Sequence, residues 1–120
     1  MAVRAIRGAT QVEADDREQV LEATRELVQT VMERNGLSSE DLISILFTAT
    51  PDLVSEFPAL AARELGLGDV PLMCATEIAV PHALPRVLRL MAHAETPKAR
   101  PDIQHVYLRG AVALRRDIAQ

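Results

Sequence analysis

The chain has 120 residues, a formal net charge of −4, 48% apolar residues and 25% charged ones. That length suits one domain over residues 1–120, and the apolar fraction excludes a disordered chain. The acidic balance, unclustered Lys/Arg and only three aromatics (Phe47, Phe57, Tyr107) exclude a general nucleic-acid or anionic-membrane binder. Cys74 is the single cysteine, so neither an internal disulfide nor a thiolate metal cage can form. No apolar run approaches the roughly 18–20 residues of a membrane span. The segment MAVRAIRGA lacks the apolar core of a signal peptide. A soluble, cytoplasmic protein is expected.

In chain order, AVRAIRGATQV is short, small and β-tolerant and predicts a first strand. Residues 16–34 predict a helix: Val20, Thr24, Leu27, Val28, Val31 and Met32 recur at helical spacing. Asp15 with Glu18 reads as its capping pair, and Asn35-Gly36 as its stop. LISILFTAT at 42–50 alternates, with Ile43, Ile45, Phe47 and Ala49 on one face and Ser44, Thr48 and Thr50 on the other, and predicts a strand. Pro58 opens a short helix over 58–65, closed by Gly66 and Gly68. VPLMCATE at 70–77 predicts a mostly buried strand.

Residues 86–94, RVLRLMAHA, fit a helix through Leu84, Val87, Leu88 and Met91, and a strand through Leu88, Leu90 and Ala92. Periodicity leaves both open. Residues 104–114 predict a last strand, with Val106, Leu108, Val112 and Leu114 on one face and His105, Tyr107 and Arg109 on the other. The order is that of an α+β single domain, a mixed five-stranded sheet with two main helices. Two helices are few for such a sheet, so copies of the chain are expected to cover the remainder as a homo-oligomer.

His82, His93 and His105 have no ligand spacing with each other or with Cys74, so no metal site is expected. Phosphate-loop, Rossmann, nucleophile-elbow and zincin motifs are all absent, and no cofactor is implied. Charges inside apolar stretches are more informative: Arg7 in AIRGA, Arg89 in VLRLM, and Glu77 after MCAT. Such charges need partners, because desolvating an ion costs several kcal/mol. Two readings stand at this point. The three form a structural ion network or point to solvent, or they line a pocket for an anionic, dicarboxylate ligand, which Arg forks match. Tyr107 could add a phenol donor.

The segments IRGAT at 6–10, ATPDL at 49–53, FPA at 57–59, REL at 63–65 and HVYLRGAVALRRD at 105–117, with Cys74, Glu77 and Arg89 between them, run in order along nearly the whole chain. In this combination the chain resembles the monofunctional chorismate mutases of the trimeric pseudo-α/β-barrel type, a fold distinct from the all-helical chorismate mutases. The resemblance implies the Claisen rearrangement of chorismate to prephenate on the way to phenylalanine and tyrosine. It also implies a homotrimer with active sites between subunits, and no nucleic-acid or membrane partner. It makes Arg89 the cation beside the ether oxygen. Glu77 and Cys74 become partners of the ring hydroxyl, and Arg7 and Tyr107 partners of the side-chain carboxylate. Met73, Ala75 and Thr76 would line the pocket. Phe57, Ala59 and Arg63 would come from the neighbouring chain, and Leu114 and Arg115 would close over the ligand. Residues 86–94 become a strand.

The sequence departs from the pattern at Leu60, where the family carries Lys, which leaves Arg63 as the cation of that helix. Cys74 and Glu77 are three apart and so fall on opposite faces of a regular strand. The alternatives are an imine or enamine deaminase of the same trimeric fold, whose signature segments are not apparent, and a non-catalytic ligand-binding trimer.

Overall fold

A computed structural model describes residues 1–114; Arg115 and the rest of the expected tail lie outside the described residues. The chain runs β1 (Ala2–Gln11), α1 (Arg17–Asn35), β2 (Leu42–Ala49), α2 (Pro58–Ala62), β3 (Leu72–Thr76), β4 (Val87–Thr96) and β5 (Val106–Tyr107). The strands form one mixed sheet in the order β3-β2-β4-β1-β5. β4 lies antiparallel between β1 and β2, while β3 and β5 add to the two sides as parallel neighbours. The expected single α+β domain is the architecture found.

β4 decides the ambiguity at 86–94. Its residues pair on both sides, Leu90 with Gly8 of β1 and with Phe47 of β2. A helix there would strip both neighbours of their ladder partners. Leu88, Leu90, Ala92 and Ala94 alternate onto the helix-covered face and are buried. The helical spacing of Leu84, Val87, Leu88 and Met91 is incidental.

Both helices lie on that face. Ile6, Leu27, Val28, Val31, Ile45, Phe47, Ala59, Ala62 and Leu90 belong to one core cluster. Each large aliphatic side chain buried there contributes about 1.5–3 kcal/mol. α1 approaches closely because β1 carries Gly8 beneath it; a Cβ at Gly8 would meet Leu27 Cδ1 at 3.1 Å and Val31 Cγ2 at 3.3 Å. The stop at Asn35-Gly36 is a Schellman turn. Gly36 adopts φ 62°, its N–H donates to Glu33 C=O, and the Leu37 N–H donates to Met32 C=O.

Several local expectations are corrected. The N-cap is Asp16, whose carboxylate accepts from the Gln19 N–H, and not Asp15 with Glu18. Asp15 instead accepts from the N–H groups of Val54 and Ser55. A register shift between Leu42 and Ser44 turns Ile43 out and puts Leu42 into the core. The helix at 58–65 stops at Ala62 and continues as a wider turn, Arg63–Leu67, with Gly66 at φ 92°. β3 is an edge strand and not mostly buried; Met73 is 66% exposed. The strand expected over 104–114 is two residues long and gives way to 3-10 turns at Arg109–Leu114, after Arg109 takes φ 53°.

The physical reason for the late start of β5 lies at Gln104. Its N–H donates to Asn35 Oδ1 at 2.8 Å and its C=O accepts from Asn35 Nδ2 at 2.9 Å, so the end of α1 takes both peptide groups. The sheet face away from the helices is open and carries Val3, Leu46 and Met73 as exposed apolar side chains. None of the described helices is long and apolar enough to cross a membrane.

Candidate active site

Alternation along the strands sorts the side chains. Arg7 pairs with Met91, and Ala9 with both Arg89 and Tyr107; Thr48 pairs with Arg89 and Ala75. Directly paired residues share a face, so all of these project from the open side of the sheet. There, Arg7, Leu46, Thr48, Arg89, Met91 and Tyr107 line a cavity of about 250 Å³. Tyr107 packs with Ala9 and Ala111, and Leu114 leans on this cluster.

Glu77 lies one residue beyond β3, its N–H donating to Ala49 C=O at 2.9 Å. Its carboxylate reaches the same face. Arg89 Nε donates to both oxygens, at 3.2 and 3.1 Å, and the Thr48 hydroxyl donates to Oε2 at 2.7 Å. The Glu77 side chain is 16% exposed and that of Arg89 40%. Both Nη groups of Arg89 and the guanidinium of Arg7 have no protein partner among the described residues. The set therefore carries two cations to one anion, with unused donors facing a cavity, which suits an anionic ligand. Arg7 is fixed through its main chain: its N–H donates to His105 Nδ1 at 2.9 Å, in place of the strand partner that Gln104 no longer offers. Nδ1 accepts, so the neutral ring carries its proton on Nε2.

The structure separates Cys74 from this group. Its side chain faces the helices and packs on the main core cluster. The Ile45 N–H donates to Pro71 C=O and the Glu77 N–H to Ala49 C=O, so the odd-numbered residues of this segment use their peptide groups toward β2. By alternation, the N–H and C=O of Cys74 point to the free edge of the sheet. The parity conflict needs no bulge: Glu77 presents a side chain and Cys74 an edge peptide. Met73 and Ala75 share the face of Thr48, and Thr76 shares that of Cys74.

Phe57 lies by a second cavity of about 370 Å³, lined also by Leu53, Glu56, Pro58 and Cys74. It is 67% exposed. Its loop is held by Asp15 and by an Arg17–Glu56 pair at 2.9 Å. Ala59 is buried in the core and Arg63 is exposed after α2. One chain thus brings Arg7, Glu77, Arg89 and Tyr107 together but not Phe57, Ala59 or Arg63. Thr48 and His105 join the cluster without having been singled out as site residues. The alternation of LISILFTAT put Thr48 on the polar face, but its place beside Arg89 depends on the β2–β4 register. Among the described residues no group of His, Cys, Asp and Glu is placed to hold a metal.

The ATPDL segment is structural at its centre. The Thr50 hydroxyl accepts from the Val87 N–H and the Asp52 carboxylate from the Arg86 N–H, which sets the start of β4 and hence the height of Arg89.

The sequence model of the family described as chorismate mutase type I matches residues 3–118. The chain belongs to the type I chorismate mutases. Within the family, the chorismate mutase AroH of Thermus thermophilus is 50% identical over 117 residues, which is 97% of this chain and 96% of that relative. The chorismate mutase AroH of Bacillus subtilis (strain 168) is 42% identical over 120 residues, 99% of this chain and 94% of the relative. A solved chorismate mutase from Clostridium thermocellum superposes with a TM-score of 0.91 at 45% identity, covering 92% of this chain and 98% of that one. Membership in the type I chorismate mutases agrees with the resemblance carried by IRGAT, ATPDL and HVYL. The deaminase alternative is not favoured.

Proposed function

We propose that this chorismate mutase, an isomerase, converts chorismate to prephenate on the open sheet face, in a site that a neighbouring copy completes. The supporting observation is Arg89, tied through Nε to Glu77 with both Nη groups turned to a cavity that also holds Arg7 and Tyr107. The rearrangement is unimolecular and pericyclic, with no covalent intermediate and no proton transfer. A protein accelerates it by selecting the chair-like conformer and by matching the charge that develops. As the C–O bond breaks, negative charge grows on the ether oxygen. The Nη donors of Arg89 bind that oxygen better in the transition state than in the ground state. One such preorganised donor is worth roughly 3–4 kcal/mol.

Arg7 and Tyr107 take the side-chain carboxylate. Glu77 and the edge peptide of Cys74 take the ring hydroxyl, Cys74 from the copy that supplies Phe57, whose cavity it lines, and the Glu77 carboxylate faces the ring as positive charge develops there. Ala75 and Thr76, which line the Phe57 cavity with Cys74, form the β3 wall with Met73. Phe57 and Ala59 of a neighbouring copy close the other side, Ala59 through its backbone since its side chain is in the core. Arg63 of that copy reaches the ring carboxylate in place of the family's Lys, which is Leu60 here. Leu114, packed beside Tyr107, closes over the ligand. The exposed Val3, Leu46 and Met73 fit burial between copies in a homotrimer. The cytoplasm fits a chain with one cysteine.

Chorismate incubated with the purified chain should lose its enol-ether absorbance well above the uncatalysed rate, and the active species should have three times the 13.1 kDa chain mass in sedimentation. No turnover would sink the catalytic reading, and an active monomer would sink the shared site.

A further inference from the structure

We propose that Thr48 is a positioning residue for the rearrangement. Its hydroxyl holds the Glu77 carboxylate on the Nε edge of Arg89 and so keeps both Nη groups turned to the substrate. This rests on the role given above to Arg89.

Glu77 lies one residue beyond β3, and only its N–H still bonds to β2. Its N–H bond to Ala49 fixes the Cα but none of the three side-chain torsions. Coulomb attraction to Arg89 does not choose among them either. The favoured pairing of a carboxylate with a guanidinium is a fork of two parallel N–H···O bonds, each oxygen on its own nitrogen. Here both oxygens share the single Nε–H, at 3.2 and 3.1 Å, an arrangement the ion pair alone would not select. A slide to the fork would engage one or both Nη groups and remove donors from the cavity.

The bond that opposes the slide is the one from Thr48, at 2.7 Å the shortest on this carboxylate. Thr48 stands opposite Arg89 across β2–β4 and opposite Ala75 across β2–β3, so its side chain rises between the guanidinium and the end of β3. Ala75 leaves it room. As a β-branched residue in a central strand, threonine has a stiff first torsion, which fixes where the hydroxyl sits.

The test is steady-state kinetics on chorismate with wild type, Thr48→Val and Thr48→Ser, with a melting curve for each. Valine keeps the shape and strand preference and removes the donor; serine keeps the donor. Thr48→Val is expected to lower kcat about tenfold, as for loss of one hydrogen bond to a charged group, with KM changed less than about threefold. Thr48→Ser should recover kcat to within about threefold of wild type. Should valine unfold the chain, Thr48→Ala takes its place with the same expectation. A wild-type kcat in the donor-less variant overturns the proposal, as does a serine variant no better than valine or a loss confined to KM. Wild type inactive on chorismate overturns the functional reading itself, a separate result.

Discussion

At the residue scale, the site is a matter of which donors are already used. Arg89 reserves its Nη groups because Glu77 occupies Nε, and Arg7 is held by its main chain so that its guanidinium stays free. The charged residues Arg7, Glu77 and Arg89 were legible because ions interrupt otherwise apolar segments. Thr48 and His105 were not, because a hydroxyl or an imidazole on a polar strand face looks the same whether it meets solvent or a neighbouring strand. Cys74 was legible as a position and not as a group: alternation turns its thiol inward, while its peptide stays on the free edge. Glu56 shows the same economy in the Phe57 loop. Its carboxyl lies below the usual carboxylate range because the Phe57 N–H donates to it and, next, because Arg17 does. A depressed value means that the anchoring is complete at neutral pH and is lost as pH falls through that value, below the range of an ordinary glutamate. The contact is exposed, so it positions the loop more than it stabilises the fold. The Phe57 amide resonance should therefore titrate with a midpoint below that of an ordinary glutamate. A midpoint at or above the ordinary value would remove Glu56 as the anchor.

At the element scale, local patterns recovered α1 and β2 with small boundary errors, because each has one wet and one dry face with a clear period, and β1 from its small, β-tolerant residues. They failed where tertiary pairing overrides the pattern. β4 is flanked on both sides, so its sequence satisfies two periods at once and only its neighbours decide. β5 starts late because the Asn35 carboxamide takes the Gln104 peptide groups, a contact between residues 69 apart in sequence, and ends early at the turn from Arg109. Gly8 is the element-scale constraint inside IRGAT. Leu27, Val31 and Leu90 would each have to yield to a methyl group there, since an added Cβ would lie 3.1–3.3 Å from them. Gly8→Ala should cost about 1–3 kcal/mol by overpacking. It should lower the urea midpoint with an unchanged slope at fixed protein concentration. An unchanged midpoint would mean that α1 can shift away from β1 freely.

At the scale of the whole molecule, one sheet divides the labour. The helix-covered face supplies the core, and the open face supplies charges from β1, β4 and the end of β3, with Tyr107 from β5 and Thr48 from β2 between them. That division was legible in outline, as two helices too few for five strands. The residues that would close the site from a second copy were legible only through the family resemblance. A chain with twelve arginines and no tryptophan makes a site of placed charge, and chorismate mutase chemistry asks for little else. The direct measurement is steady-state turnover of chorismate by wild type and by Arg89→Ala, both confirmed in the same oligomeric state. Transition-state stabilisation by Arg89 predicts a kcat lower by about 10²-fold or more in the variant, with KM changed only a few-fold. A loss that appears in KM alone would contradict it.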